Sequence, residues 1–291
     1  MDMYASVVCG IDGSEASLHA FRQVLGRMSA GGSLAAVAVL PREILIYDAT
    51  AEVLDRLEKQ RFEVARNLQA HLDTLTAEAS AKGVELTVRL ISEGRPYERL
   101  VEYANQANAS LIVMGARNAG QLQRRLVGST TSRVIGTAGR NVLLIPEGVP
   151  LNDGPVLAPT DGSAYGTRAI EVAAQQASQS GQPLLIVSVA AMPEGAENDP
   201  MSSLRSELSL EEARKWAESA LSIVEPLGVK AKVFVLSNEP YAAIAKAAKD
   251  HGAGFIVMGS HGRTGLSHLL MGSTTERVME IAPCPVLVIP T

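Results

Sequence analysis

The residues best placed for chemistry lie in one run: Met258-Gly259-Ser260-His261-Gly262-Arg263-Thr264-Gly265, continuing to Gly272-Ser273-Thr274-Thr275-Glu276. Gly259 closes an aliphatic stretch that reads as a strand, and lacking a Cβ it lets backbone approach a ligand closely. Gly262 is free to take a positive φ and turn the loop back on itself. Gly272-Ser273-Thr274 opens the next helical stretch. Unpaired N–H groups, hydroxyls and the positive end of a helix dipole make an anion site there without a lysine. The chemistry implied is backbone binding of phosphate; the plainer alternative is that these glycines only shape a tight strand-to-helix connection. A second feature is an Asp-Gly-Ser turn, Asp12-Gly13-Ser14 and again Asp161-Gly162-Ser163. Ser14 and Ser163 suit the helix-capping role, which leaves the aspartates, two residues earlier, for a ligand.

Both features occur twice because the chain repeats itself. Val7–Ser14 reappears as Val156–Ser163, Leu111–Gly115 as Phe255–Gly259, Gly128–Thr131 as Gly272–Thr275 and Asn141–Pro146 as Pro285–Pro290. The period is far too long for a solenoid, so a whole domain is duplicated. A Gly/Pro-punctuated linker, 147–155, divides the chain into domains expected at 1–148 and 149–291.

The elements that must position these motifs alternate. Short aliphatic strands are expected at Ser6–Ile11, Leu34–Leu40, Val84–Ile91, Leu111–Met114 and Val142–Ile145, buried on both faces. Between them, helices are expected at Glu15–Met28, Ala51–Ala81, Tyr97–Ala107 and Thr130–Ala138. The second half predicts strands at Val156–Thr160, Leu184–Val189, Ala231–Leu236, Phe255–Met258 and Val286–Ile289, with helices at Ala164–Ser180, Leu210–Leu227, Tyr241–His251 and Thr275–Ala282. This is an α/β pattern, a parallel sheet with helices on both faces. Ligands in such sheets bind beyond the carboxyl ends of strands, where both motifs fall. Pro193–Ser203 reads as a loop or a lid.

Composition narrows the function. The charge balance, 26 Lys+Arg against 31 Asp+Glu, argues against a protein devoted to nucleic acid or anionic membrane. No apolar run approaches the ~18–20 residues that span a bilayer, and the N-terminus reads as a first strand and not a signal peptide. Cys9 and Cys284 are too few for a disulfide scaffold and read as core residues. A reducing, cytoplasmic setting fits. His261 and His268 lack a usual metal spacing, and no HExxH or paired CxxC occurs, so no protein-held metal is expected. Arg124-Arg125 and Asp55–Arg66 read as solvated faces, and Trp216 with Leu221 and Val224 as a helix face and not a stacking platform.

Gly259-x2-Gly262-x9-Gly272-Ser273 resembles the nucleotide motif of the universal stress protein family, and Pro159-Thr160-Asp161 resembles that family's adenosine contact. The resemblance covers nearly the whole chain, twice. It implies two tandem five-stranded, Rossmann-like sheets of order 3-2-1-4-5, with both motifs on one crevice. Asp161 would then contact ribose or adenine, Val189 would line the adenine pocket and Met258 would pack near the base. Gly259, Gly262, Gly272, Ser273 and Thr274 would hold ribose and phosphates, with Arg263 beside them. In the first half Asp12, Val39, Gly115, Gly128, Ser129 and Thr130 keep these positions, while Asn118 replaces the second glycine and Gly10 the proline. Asn tolerates the left-handed region best among non-glycine residues, but it brings a side chain, so the second half is expected to bind more strongly. The ligand implied is ATP, any Mg²⁺ being held mainly by its phosphates. The resemblance also implies an intrachain pseudo-dimer through the last strands, and a homodimer of such chains.

Three readings follow: an ATP-binding regulatory or stress-response protein with little or no hydrolysis, a slow ATP-using enzyme, or a structural or interaction protein without nucleotide. No P-loop, GxSxG elbow, SGGxDS-like loop or HIGH-type motif appears. No cluster of carboxylates suggests a metal for phosphoryl transfer. The first reading is therefore preferred.

Overall fold

The computed structural model describes residues 3–28, 31–40, 50–118, 125–190, 201–263 and 271–290. The first half contains strands β1 (Ser6–Ile11), β2 (Ser33–Val39), β3 (Leu86–Ile91), β4 (Leu111–Asn118), β5 (Arg125–Leu126) and β6 (Asn141–Pro146). Helices α1 (Glu15–Leu25), α2 (Ala51–Ala81), α3 (Pro96–Gln106) and α4 (Ser129–Thr137) connect them. The second half repeats the plan with β7 (Val156–Thr160), β8 (Leu184–Ala190), β9 (Ala231–Ser237), β10 (Phe255–Gly259) and β11 (Val286–Ile289). Its helices are α5 (Ala164–Ser180), α6 (Ser202–Val224), α7 (Pro240–Asp250) and α8 (Ser273–Ile281).

The strand order is β3-β2-β1-β4-β6 followed by β11-β10-β7-β8-β9, so each half has the expected 3-2-1-4-5 arrangement. The count differs from expectation in two ways. A short strand, β5, pairs antiparallel with the end of β4, and the two halves share one 11-stranded sheet. The join is the antiparallel pair β6–β11, with Leu144 opposite Val286, Leu143 opposite Leu287 and Val142 opposite Val288. Each last strand is an apolar edge, and pairing them satisfies both ladders and buries all six side chains. Because strands are parallel within a half and antiparallel at the join, the carboxyl ends of the two halves point to opposite margins of the sheet. Helices α1, α2, α5 and α6 pack on one face, and α3, α4, α7 and α8 on the other; both cores run through the two halves.

The linker is tied to α1. His19 Nε2 lies 2.8 Å from the Val149 carbonyl, Arg27 donates to the Leu151 carbonyl at 2.8 Å and pairs with Asp153, and the Leu151 N–H donates to Gln23 Oε1 at 3.0 Å. Cys9 and Cys284 are buried in the core.

Several element boundaries shift from the sequence reading, and three of the shifts have a visible cause. Strand β4 runs on to Asn118 because β5 supplies a partner ladder. Helix α6 begins at Ser202, well before Leu210 and inside the segment read as a loop; the rest of that segment, 193–200, lies outside the described residues. Its early turns carry exposed Leu204 and Leu208 with no apolar periodicity facing the core, so periodicity could not announce them. Helix α1 stops at Leu25 because Gly26 caps it. Among the described residues no helix is long and apolar enough to cross a membrane.

Candidate functional site

Each half holds a cleft at the carboxyl end of its first and fourth strands. The first is about 460 Å³ and the second about 400 Å³, both within the range usual for small-molecule sites. One wall of each is the Asp-Gly-Ser turn. Ser14 caps α1 by accepting from the Ser17 N–H, and Ser163 caps α5 by accepting from the Gly166 N–H. The aspartates brace these caps. Asp12 Oδ1 accepts the Ser14 N–H at 3.0 Å and its hydroxyl at 2.5 Å; Asp161 Oδ1 accepts the Ser163 N–H at 3.1 Å and its hydroxyl at 2.6 Å. One carboxylate oxygen is thus committed to structure, and Oδ2 is the one turned to the end of β4 or to the residues that follow β10. There Asp12 Oδ2 pairs with Arg117 at 2.7 Å, whereas Asp161 Oδ2 accepts the backbone N–H of Arg263 at 3.0 Å. Partial burial alone would raise the Asp12 carboxyl. Hydrogen bonds from the Ser14 hydroxyl and amide and from Ser17, with the Arg117 charge, outweigh it and leave the group below the ordinary aspartate value.

The opposite wall is the start of α4 or α8. The N-caps, Gly128 and Gly272, have no side chain to satisfy the first-turn amides. α1 and α5 are capped by serine; α4 and α8 are not, and their free N–H groups open onto the clefts with the positive helix end behind them. Thr275 fixes this terminus against the sheet, its buried hydroxyl donating to the Gly259 carbonyl at 2.9 Å. The Gly272 N–H donates to the Ser260 carbonyl at 2.8 Å. An arrangement of fixed amides, hydroxyls and one carboxylate suits a ligand with an anionic end and a hydroxyl-bearing end.

The glycines act differently from their sequence reading. Gly262 does not adopt a left-handed φ, and neither does Asn118, which sits in the β4–β5 ladder opposite Arg125. The left-handed residues are Gly13 and Gly162, with φ of 78° and 74°. Gly262 is needed for space: a Cβ there would lie 2.7 Å from Asp161 Oδ2. Gly115 and Gly259 admit neighbouring protein as well as lining the clefts; a Cβ would lie 2.4 Å from the Ala16 carbonyl carbon in one half and 2.7 Å from Tyr165 Cβ in the other. They let the starts of α1 and α5 press against β4 and β10.

Of the candidate residues, Asp12, Val39, Gly115, Gly128, Ser129 and Thr130 line the first cleft. Pro159, Thr160, Asp161, Met258, Gly259, Gly262, Arg263, Gly272, Ser273 and Thr274 line the second. Val189 does not join them among the described lining residues; it packs, partly buried, on the α7–α8 side of the sheet. Gly265 and His268, like Arg124, lie outside the described residues. Sequence reading missed Leu68 and Leu100, which give the first cleft apolar walls, and Ile244 in the second. Trp216, read from the sequence as a helix face, stands against Gly162 beside the second cleft's Asp161 turn. Their only sequence signal was membership of helix faces pointing at the sheet.

A model of the universal stress protein family matches residues 3–146 and 154–290. A universal stress protein of Mycobacterium tuberculosis is 30% identical over 233 residues, covering 77% of this chain and 76% of that protein. Another, from Methanocaldococcus jannaschii, is 33% identical over 136 residues, 46% of this chain and 80% of its own length. A universal stress protein crystal structure from Archaeoglobus fulgidus superposes with a TM-score of 0.69 at 23% identity, covering 99% of this chain and 98% of that one.

Proposed function

The chain belongs to the universal stress protein family, as two tandem copies, and from that premise we propose that each half binds an adenine nucleotide, ATP included, and that the bound state alters the protein's interactions. One observation carries this reading. In both halves an uncapped helix N-terminus faces an aspartate turn across a cleft of about 400–460 Å³. The amides of α4 and α8 suit phosphate oxygens, and Oδ2 of Asp12 or Asp161 suits a ribose hydroxyl. The apolar wall of the first cleft, Val37, Val39, Leu68 and Met114, suits a flat base. Any Mg²⁺ would be held chiefly by the phosphates. The described lining offers Asp161 as its one carboxylate in the second cleft and Asp12 in the first.

Turnover is proposed to be absent or slow. Each lining carboxylate accepts hydrogen bonds from a serine and from an arginine side chain or backbone, which makes it a poor base toward an attacking water. The test is to purify the full chain, release bound small molecules by heat and separate them by chromatography. Recovered ATP supports the reading; recovered ADP or AMP after ATP loading indicates an enzyme; no nucleotide and no binding on titration refutes both.

A further inference from the structure

The second cleft contains a contact without counterpart in the first among the described residues. Trp216 stands on α6, half-buried, one turn after Glu212. Its indole lies so close to the Asp161–Gly162 turn that a Cβ on Gly162 would fall 2.3 Å from Cδ1 and 2.6 Å from Nε1. The Arg263 guanidinium covers the same ring, its central carbon 4.3 Å from the ring centroid, and Nη1 lies 3.6 Å from Glu212 Oε2. The Arg263 N–H meanwhile donates to Asp161 Oδ2. The indole thus touches the turn that presents Asp161 and the arginine whose backbone bonds Asp161. In the first half a Cβ on Gly13 would meet His71 Cδ2 at 3.2 Å and Leu68 Cδ2 at 3.4 Å, and Asp12 is held by the Arg117 side chain.

We propose that Trp216 is a positioning residue of the second cleft: by stacking on Arg263 it holds the Gly262-Arg263 backbone against the Asp161 turn and preorganises that cleft for its ligand. The inference rests on the nucleotide reading above. A protein whose binding-competent arrangement is only partly populated binds more weakly by that fraction. An exposed cation–π contact contributes about 0.5–1 kcal/mol, which is a two- to fivefold change in such a population. Glu212 adds little, since both its side chain and that of Arg263 are largely exposed.

The experiment uses the full chain with the first cleft blocked by Gly128→Val. ATP affinity is measured by calorimetry, and amide hydrogen exchange is followed at Gly262 and Arg263 in the ligand-free protein. Trp216→Leu and Arg263→Met should each weaken ATP about threefold and speed exchange at the Arg263 amide. The double variant should be no weaker than either single one, and Trp216→Phe, which keeps a ring, should restore most of the affinity. Additive losses, or a Phe variant as weak as the Leu variant, would overturn the proposal. Arg263→Met alters an exposed side chain and keeps the test valid if Trp216→Leu fails to fold. Should the parent chain bind no ATP, the nucleotide reading falls by itself. The positioning role of Trp216 is then judged by exchange alone: faster exchange at the Arg263 amide in Arg263→Met supports it, and unchanged exchange refutes it.

Discussion

Replacing Gly128 with valine should close the first cleft while leaving the protein around it undisturbed. Gly128 has φ −63° and ψ 149°, which valine adopts without strain. A Cβ at that position meets no atom within 4 Å. Ligand-free stability should therefore change by no more than ~0.5 kcal/mol, a shift in melting temperature of about 1–2 °C for a chain of this size. The branched side chain then occupies space beside the uncapped amides of α4. A backbone hydrogen bond to a charged oxygen contributes about 1.5–3 kcal/mol, so losing one weakens nucleotide roughly ten- to a hundredfold. Calorimetry should show one strong ATP equivalent per chain in place of two. A variant that melts like the parent and still binds two equivalents with unchanged affinity would refute the assignment of α4 as the phosphate end.

Gly272→Val should abolish the second equivalent but also destabilise the protein by ~1–3 kcal/mol, since its Cβ would lie 3.3 Å from His261 Cα and 3.4 Å from the Ser260 carbonyl oxygen; equal melting of the Gly128 and Gly272 variants would contradict this. Gly162→Ala should cost more stability than Gly13→Ala: both break a left-handed turn, at about 1–2 kcal/mol, but only the former collides with Trp216, and equal denaturant midpoints would speak against that contact. The second cleft should bind ATP up to about fivefold more tightly than the first, because ligand at Asp12 must exchange an exposed ion pair with Arg117; Arg117→Met should narrow the gap, and a first cleft that is the tighter one would reverse the ranking. The Asp12 carboxyl should titrate below its usual value, so its stabilisation is complete above about pH 3.8 and fades as pH falls through the lowered folded value. An NMR titration should show Asp12 moving upward in Arg117→Met, and no movement would remove the ion pair from the account.

The duplicated motifs make the repeated α/β plan readable in the sequence, because buried parallel strands are written as near-continuous aliphatic runs and Gly-Ser-Thr marks a helix start. The pairing of β6 with β11 is legible through the family resemblance, whose strand order makes both apolar last strands edges. What the sequence hides are contacts between distant segments. Gly262 reads as a conformational glycine; only the fold shows that Asp161, far back in the chain, needs the space where its Cβ would be. Trp216 reads as a core-facing helix residue, because nothing local reveals that α6 delivers it to Gly162 and Arg263. Asn118 reads as a residue that tolerates a left-handed turn, but strand pairing with Arg125 settles its backbone in an extended conformation. The early start of α6 is invisible for a different reason: exposed helical turns carry no apolar period.

The central claim is that two adenine-nucleotide sites sit at the starts of α4 and α8. The most direct measurement is ATP binding stoichiometry by calorimetry on the full chain, run beside the Gly128→Val, Gly272→Val double variant. Two equivalents are expected for the parent and none for a double variant that remains folded. A folded parent that binds no adenine nucleotide, or a double variant that binds as the parent does, would contradict it.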